Sequence, residues 1–257
     1  MESEFLLTGG EIPIRVRDHG GTGSPVLLLH GAGGELDAWD GFAPLLTGSH
    51  RVVALDLRGH GKSGDGPWEW ASVLADIESA VDGVGLENPA VVGHSLGGML
   101  AAMWARRRPD CPAAVSLDGH RSSVTDPRNY AGLPADQVAR DRARLAELFA
   151  AQLEAVRRPA PEVLSAIQQS PEFADCLPVF AEVESPFLVA LATRDLPGMP
   201  AEFAGLMSAF RAGLRRDLAE LRDRRPNIRV AEVDASHAMV FEDPEAVAGL
   251  VLGFLNR

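Results

Sequence analysis

Six short runs of apolar residues recur along this chain of 257 residues. The runs occupy residues 25–31, 51–59, 90–95, 113–119, 186–195 and 228–237, and each ends in polar residues or glycine. A strand that is apolar throughout is typical of a parallel sheet, because helices cover both of its faces. Between the runs, helical periodicity covers roughly 68–84, 95–108, 201–225 and 244–255. This alternation predicts an α/β fold, with a mostly parallel sheet and flanking helices.

Two segments depart from the alternation. Residues 4–20 alternate apolar and polar side chains on both sides of a glycine pair, which predicts an antiparallel hairpin. Residues 121–180 contain two helical runs and no convincing strand. Helices inserted between two strands at the edge of the sheet where ligands bind are a natural cap. We therefore predict a core made of residues 1–120 and 181–257, and a helical cap, or lid, over residues 121–180.

The composition restricts the partners of the chain. Its formal net charge is -12, which disfavours nucleic acid and anionic membrane surfaces. The acidic N-terminus lacks the pattern of a signal peptide, and no apolar stretch reaches the ~18 residues of a membrane span. Cys111 and Cys176 suggest neither a disulfide framework nor a metal cluster. We expect a cytoplasmic protein without metal or cofactor; a homodimer is left open.

Two glycine-rich stretches resemble nucleotide-binding motifs but are incomplete. In the stretch that ends at Ser63, the phosphate-loop pattern needs a glycine five positions before Gly61, where Asp56 stands. In the stretch that begins at Gly31, the dinucleotide pattern needs its last glycine where Leu36 stands. Nucleotide binding is therefore disfavoured.

Residues 93–97, Gly-His-Ser-Leu-Gly, match the nucleophile-elbow pattern G-x-S-x-G. The pattern is short, but an apolar strand precedes it and a helical run follows it. A sharp turn from strand to helix needs glycines, because larger side chains would collide with the neighbouring strand and helix. Such a turn lifts the serine hydroxyl above the sheet. Ser95 is therefore the candidate nucleophile.

A serine hydroxyl needs a base that accepts its proton and a pair of N–H donors for the developing oxyanion. Among the seven histidines, His237 is the candidate base, since it follows the last apolar run at the ligand end. His94 is expected to point away from the tip of the turn. The amides of Leu96, directly after the nucleophile, and Ala32, after the first apolar run, are the candidate oxyanion donors.

The chain resembles serine-nucleophile α/β-hydrolases with a helical cap, of the esterase or lactonase type. The resemblance covers nearly the whole length. It rests on HGAGG at 30–34, DLRGHGKS at 56–63, GHSLGG at 93–98, PFLVALATRD at 186–195 and SHAM at 236–239. The family implies the order nucleophile, acid, histidine along the chain, which Ser95 and His237 obey. It also implies that Asp56 and Arg58 hold the loop after their strand.

Two aspartates compete as the acid that orients the histidine. Family members most often carry the acid where this chain has Asp195, and a minority carry it one strand after the elbow, where Asp118 lies. Against Asp195, Ala192 occupies a position that is usually Gly, and a long helical run separates Asp195 from His237. Against Asp118, many relatives have an aspartate there without a catalytic role. We favour Asp195 and keep Asp118 as the alternative.

These features predict a serine hydrolase that cleaves a small or medium-sized carboxylic ester, lactone or thioester through an acyl-enzyme. C–C bond hydrolases and cofactor-free haloperoxidases use the same serine triad and stay open as alternatives. A non-hydrolytic cyclase or ligand receptor on the same fold is a further alternative, since fold does not fix function. Epoxide hydrolases and haloalkane dehalogenases carry a carboxylate at the position of Ser95, so those reactions are disfavoured.

Overall fold

The computed structural model describes residues 2–153 and 156–256. One eight-stranded sheet runs through them, in the order β1-β2-β4-β3-β5-β6-β7-β8. The strands are β1 (Ser3–Leu7), β2 (Ile14–Gly20), β3 (Ser24–Leu29), β4 (His50–Leu55), β5 (Ala90–His94), β6 (Ala114–Leu117), β7 (Phe187–Ala192) and β8 (Ile228–Val233). The helices are α1 (Ala43–Leu46), α2 (Trp70–Gly83), α3 (Leu96–Arg107), α4 (Ala135–Leu153), α5 (Pro161–Gln169), α6 (Pro171–Ala174), α7 (Leu177–Phe180), α8 (Ala204–Arg224), α9 (Met239–Glu242) and α10 (Pro244–Leu255).

Strands β3 to β8 pair in parallel, while β1 and β2 form an antiparallel extension at one edge. The predicted fold class is therefore confirmed, as is the N-terminal hairpin. Each of the six parallel strands ends before the apolar run that predicted it. Strand β7 ends at Ala192, three residues before Asp195. The polar residues that end each run thus lie in loops above the sheet, where parallel sheets bind ligands.

Two apolar cores cover the two faces of the sheet. Side chains alternate along β3, so that Leu27 belongs to the core beneath α2, α3 and α8, and Leu28 to the core beneath α1 and α10. This explains why β3 is apolar at successive positions. None of the helices in residues 2–153 and 156–256 is long and apolar enough to cross a membrane.

Helix α3 lies so close to the sheet that only glycine fits at its start. A Cβ atom at Gly97 would overlap the carbonyl oxygen of Leu29, and one at Gly93 would overlap the carbonyl oxygen of Gly97. The first ten residues of α3, from Leu96 to Ala105, are all buried. The glycines thereby let β5 pass into α3 within one residue, and that residue is Ser95.

Between β6 and β7 the described chain forms helices α4 to α7 and a single isolated bridge, between Arg121 and Asp175. Its Arg158 donates to the carbonyl oxygen of Ser63 at 2.9 Å and to the carboxylate of Asp65 at 2.7 Å. The inserted segment therefore contacts the loop between β4 and α2. Its division from the rest of the chain as a separate cap stays a prediction.

Candidate active site

Ser95 occupies the turn between β5 and α3 in a strained backbone conformation. Its φ angle is 53°, in the left-handed region that residues other than glycine rarely adopt. Its amide donates to the carbonyl oxygen of Leu117 at 2.9 Å, and its own carbonyl accepts from the amide of Gly98 at 2.9 Å. These bonds fix the turn from both sides. The hydroxyl consequently projects above the carboxyl edge of the sheet.

The imidazole of His237 lies directly beside that hydroxyl, with 3.0 Å between Nε2 and Ser95 Oγ. His237 belongs to the loop between β8 and α9. The carboxylate of Glu242 holds this loop, because it accepts from the amide of Ser236 at 3.0 Å and from its hydroxyl at 2.5 Å. The structure thus brings together two residues that are 142 positions apart in the sequence.

Asp118 is the carboxylate that contacts His237. Its Oδ2 lies 2.7 Å from Nδ1 of His237. Asp118 follows β6 and has a φ angle of 51°, a left-handed conformation that aspartate tolerates better than most residues. Its Oδ1 accepts from the amide of Ala192 at 2.9 Å and lies 3.0 Å from Nε2 of His120. Burial alone would raise the pKa of this carboxyl, but the two histidines hold it well below its usual range.

The sequence preference for Asp195 as the partner of His237 is corrected by this geometry. Asp195 forms an ion pair with Arg211 of α8 instead. Its carboxylate lies in the loop after β7 and is 30% exposed, whereas the carboxylate of Asp118 is 11% exposed. The long helix after Asp195, which counted against it in the sequence, supplies the arginine that pairs with it.

The ionised carboxylate of Asp118 determines which nitrogen of His237 donates to it. A carboxylate only accepts hydrogen bonds, so His237 donates from Nδ1; in the neutral form of such an imidazole, Nε2 is the nitrogen that can accept from the Ser95 hydroxyl. This is the arrangement in which an imidazole can remove the serine proton. The side chain of His237 is 39% exposed and Ser95 is half-buried, so both residues are accessible from solvent.

Comparison with known proteins identifies the family of this chain. The family model described as alpha/beta hydrolase fold matches residues 24–162, more than half of the chain. This chain is an α/β-hydrolase.

Two curated relatives and one solved structure illustrate the range of that family. The chain is 26% identical over 274 residues to a putative carbamate hydrolase, RutD, of Azorhizobium caulinodans, with 97% of each chain covered. It is 40% identical over 110 residues to the dihydrolipoyllysine-residue acetyltransferase component of the acetoin cleaving system of Cupriavidus necator. That match covers 41% of this chain and only 29% of the relative. The enol-lactonase structure from Burkholderia xenovorans LB400 has a TM-score of 0.69 at 20% identity, with 98% of this chain and 100% of that chain covered.

In this α/β-hydrolase, His94 packs beside His237, with 4.9 Å between the two ring centroids. Its Nε2 lies 2.7 Å from the carbonyl oxygen of His237. Burial, followed by the neighbouring His237, lowers the pKa of His94 to about 4. A neutral His94 donates to that carbonyl. The sequence showed His94 as a neighbour of Ser95, but its contact with His237 depends on the packing of the loop after β8.

The loop after β3 lies against Ser95. A Cβ atom at Gly31 would meet the Ser95 Cβ at 3.0 Å, so the backbone of this loop approaches Ser95 closely. His30 holds the loop, because its Nε2 accepts from the amide of Leu57 at 3.0 Å and its Nδ1 lies 2.8 Å from the carbonyl oxygen of Gly31. Burial lowers the pKa of His30 to about 4, which keeps it neutral in this role.

The two predicted oxyanion donors lie on the two segments that meet at Ser95. Ala32 follows Gly31 in the loop after β3, and Leu96 is the first residue of α3. Amides in the first turn of a helix have no partner within the helix and carry its positive dipole end. Their role as oxyanion donors stays a prediction.

Asp56 and Arg58 stabilise the loop after β4, as the family resemblance implied. Asp56 accepts from the amides of Leu36 at 2.6 Å and Lys62 at 2.7 Å. Arg58 pairs with Asp76 of α2 at 2.6 Å, and its side chain is fully buried. Neither side chain contacts the Ser95 hydroxyl among the described residues. In residues 2–153 and 156–256 no group of three or more His, Cys, Asp or Glu residues could hold a metal ion.

Proposed function

We propose that this α/β-hydrolase is a serine hydrolase that cleaves a small or medium-sized carboxylic ester, lactone or thioester through an acyl-enzyme. The observation that carries the proposal is the hydrogen-bonded chain from Ser95 Oγ through His237 to Asp118, with separations of 3.0 and 2.7 Å. Such a nucleophile, a base within reach and a carboxylate that orients the base are the parts that acyl transfer requires.

In the proposed reaction Ser95 attacks the acyl carbon while His237 accepts its proton. The carboxylate of Asp118 holds His237 in the reactive tautomer and stabilises its charged form. The amides of Ala32 and Leu96 donate to the oxyanion of the tetrahedral intermediate. His237 then gives the proton to the leaving oxygen or sulfur. Water, activated by His237, hydrolyses the acyl-enzyme and regenerates the serine.

The relatives support the breadth of this proposal rather than a single substrate. The relative that is matched along nearly its whole length is named as a putative carbamate hydrolase, and the structure of similar fold is an enol-lactonase. Carbamates and enol-lactones share a carbonyl carbon bound to oxygen. We infer that this chain attacks a carbonyl carbon of the same kind, in a small molecule.

We propose that the segment 121–180 covers the site as a lid. Val156 lies on the loop after β3, because a Cβ atom at Gly33 would meet its Cγ1 at 3.4 Å. Pro159 and Val163 lie similarly close to Gly59, in the loop after β4. The segment therefore packs on two loops at the carboxyl edge of the sheet. We also infer a cytoplasmic location, because both cysteines are free and buried, as thiols are in a reducing compartment.

The test is covalent labelling with a fluorophosphonate probe, followed by mass mapping of the labelled peptide. We expect the probe on Ser95, with loss of labelling in Ser95→Ala and a strong decrease in His237→Ala. Ser49→Ala is the matched control and should be labelled normally, since Ser49 precedes β4 at the opposite edge of the parallel sheet. A folded wild-type protein that stays unlabelled would contradict the proposal and favour a receptor or cyclase on this fold.

A further inference from the structure

A second histidine contacts the carboxylate of Asp118. Nε2 of His120 lies 3.0 Å from Oδ1 of Asp118, on the oxygen that His237 does not use. The residue is buried, with 4% of its surface exposed, and its ring packs against Phe210 of α8 with 6.1 Å between ring centroids. The imidazole therefore has one fixed orientation toward the carboxylate.

The hydrogen-bond partners of His120 define its tautomer. Asp118 is ionised and can only accept, so Nε2 of His120 carries the proton. Its Nδ1 is buried and has no hydrogen-bond partner among residues 2–153 and 156–256. A buried polar atom without a partner has a free-energy cost. An apolar side chain would fill the same space without this cost, so the imidazole is explained by its hydrogen bond to Asp118, the one polar contact that its ring makes within the described residues.

The two carboxylate oxygens of Asp118 accept hydrogen bonds from different donors. Oδ1 accepts from His120 and from the amide of Ala192, and Oδ2 accepts from His237. Two donors on one oxygen fix the rotation of the carboxylate about its Cβ–Cγ bond. The second oxygen is thereby presented to His237 and not to solvent.

We propose that His120 is a positioning residue, which orients the Asp118 carboxylate toward His237 and so keeps His237 in the tautomer that accepts the Ser95 proton. The inference rests on the proposed function, because it deepens the account of the same site. His120 does not touch the reacting atoms; it acts through Asp118.

The backbone around His120 is held independently of its ring. The carbonyl oxygen of His120 accepts from the amide of Cys176 at 2.9 Å. The next residue, Arg121, pairs with Asp175 at 2.8 Å and with Asp217 of α8 at 2.7 Å. These contacts survive a substitution of the imidazole, so the side chain can be tested without releasing the inserted segment.

Three substitutions separate hydrogen bonding from packing. His120→Gln places an amide N–H at the same number of bonds from Cα as Nε2, His120→Asn places it one bond short, and His120→Leu removes it. We expect kcat for a p-nitrophenyl ester to fall about tenfold in His120→Leu and His120→Asn, with KM changed less than about twofold. His120→Gln should regain most of the loss. Similar kcat values for the Gln and Leu variants would overturn the proposal.

A double-mutant cycle with Asp118→Asn decides whether His120 acts through Asp118. In the Asp118→Asn background, His120→Leu should lower kcat less than about twofold, because the orientation of His237 is already lost. A tenfold decrease in both backgrounds would overturn the proposal and assign the effect to packing. Fluorophosphonate labelling of the wild type reports separately on the proposed function. Labelled wild type with an additive cycle overturns this inference alone, whereas unlabelled wild type overturns both.

Discussion

His94 donates its Nε2–H to the carbonyl oxygen of His237 at 2.7 Å, so the residue before Ser95 also fixes the backbone of the candidate base. The two rings lie 4.9 Å apart, between centroids. A displacement of the β8 loop would therefore disturb this bond as well as the contact between His237 and Ser95. The elbow and the histidine loop are coupled through one buried side chain.

We predict that His94→Leu lowers kcat for a p-nitrophenyl ester about tenfold, because the His237 loop loses a hydrogen bond that fixes its position. His94→Gln keeps an N–H at comparable reach and should regain part of the activity. Steady-state kinetics of both variants provide the measurement, with thermal unfolding as a check on folding. Equal activities of the two variants would contradict a role for the hydrogen bond.

Stability should depend on pH most strongly through three buried histidines, to which His19 adds in the same direction because burial also lowers its pKa. Burial is the main cause that lowers the pKa of His30 to about 4, of His60 to about 3 and of His94 to about 4, from an ordinary value of 6.5. Below pH 6.5 the unfolded chain binds protons on these residues that the folded chain does not bind. The free energy of unfolding is therefore largest above pH 6.5 and should fall as the pH decreases towards 4, by roughly 2 kcal/mol per histidine at pH 5.

Urea unfolding at pH 7.5 and at pH 5 measures this dependence. The lowered pKa of Glu4, about 2, affects stability only below its ordinary value of 4.5, so this pH interval isolates the histidines. His94→Gln removes one of the three groups and should make the dependence shallower. An unfolding free energy that stays constant between the two pH values would contradict the prediction.

Two glycines, one in a crowded helix and one in an open helix, test the close packing of α3 on the sheet. Gly97→Ala should destabilise the fold by ~3 kcal/mol or more, since its Cβ would overlap the Leu29 carbonyl oxygen. Gly249 of α10 has nothing within 4 Å of a built Cβ. Gly249→Ala should therefore stabilise the fold by ~0.5–1 kcal/mol. Unfolding free energies of the two variants test this, and equal changes would refute the packing argument.

Local patterns made the fold and the sharp turn at Ser95 predictable. The strands were visible because a parallel sheet buries both faces, and the elbow because Gly93, Ser95 and Gly97 lie within five residues. The ends of the strands were predicted less accurately than their existence. Polar residues such as Asp195 were assigned to the ends of apolar runs, whereas β7 ends at Ala192.

The partner of His237 was not predictable in the same way. Asp118 and Asp195 both follow parallel strands at the same edge of the sheet, so the pattern of apolar residues does not distinguish them. The left-handed φ of Asp118 and the ion pair of Asp195 with Arg211 distinguish them, and both depend on tertiary packing. His120 was missed as well, although it stands two residues after Asp118. An Asp-x-His pattern at the end of a strand was the available signal.

The most direct test of the account compares Asp118→Asn with Asp195→Asn in the hydrolysis of a p-nitrophenyl ester. We predict that Asp118→Asn lowers kcat by ~10³ to 10⁴, as loss of the orienting aspartate does in serine proteases. Asp195→Asn removes a charge that pairs with Arg211 and should keep kcat within about threefold of the wild type, since a partly exposed ion pair contributes little. A large loss in Asp195→Asn, or equal and mild losses in both variants, would contradict the assignment of Asp118.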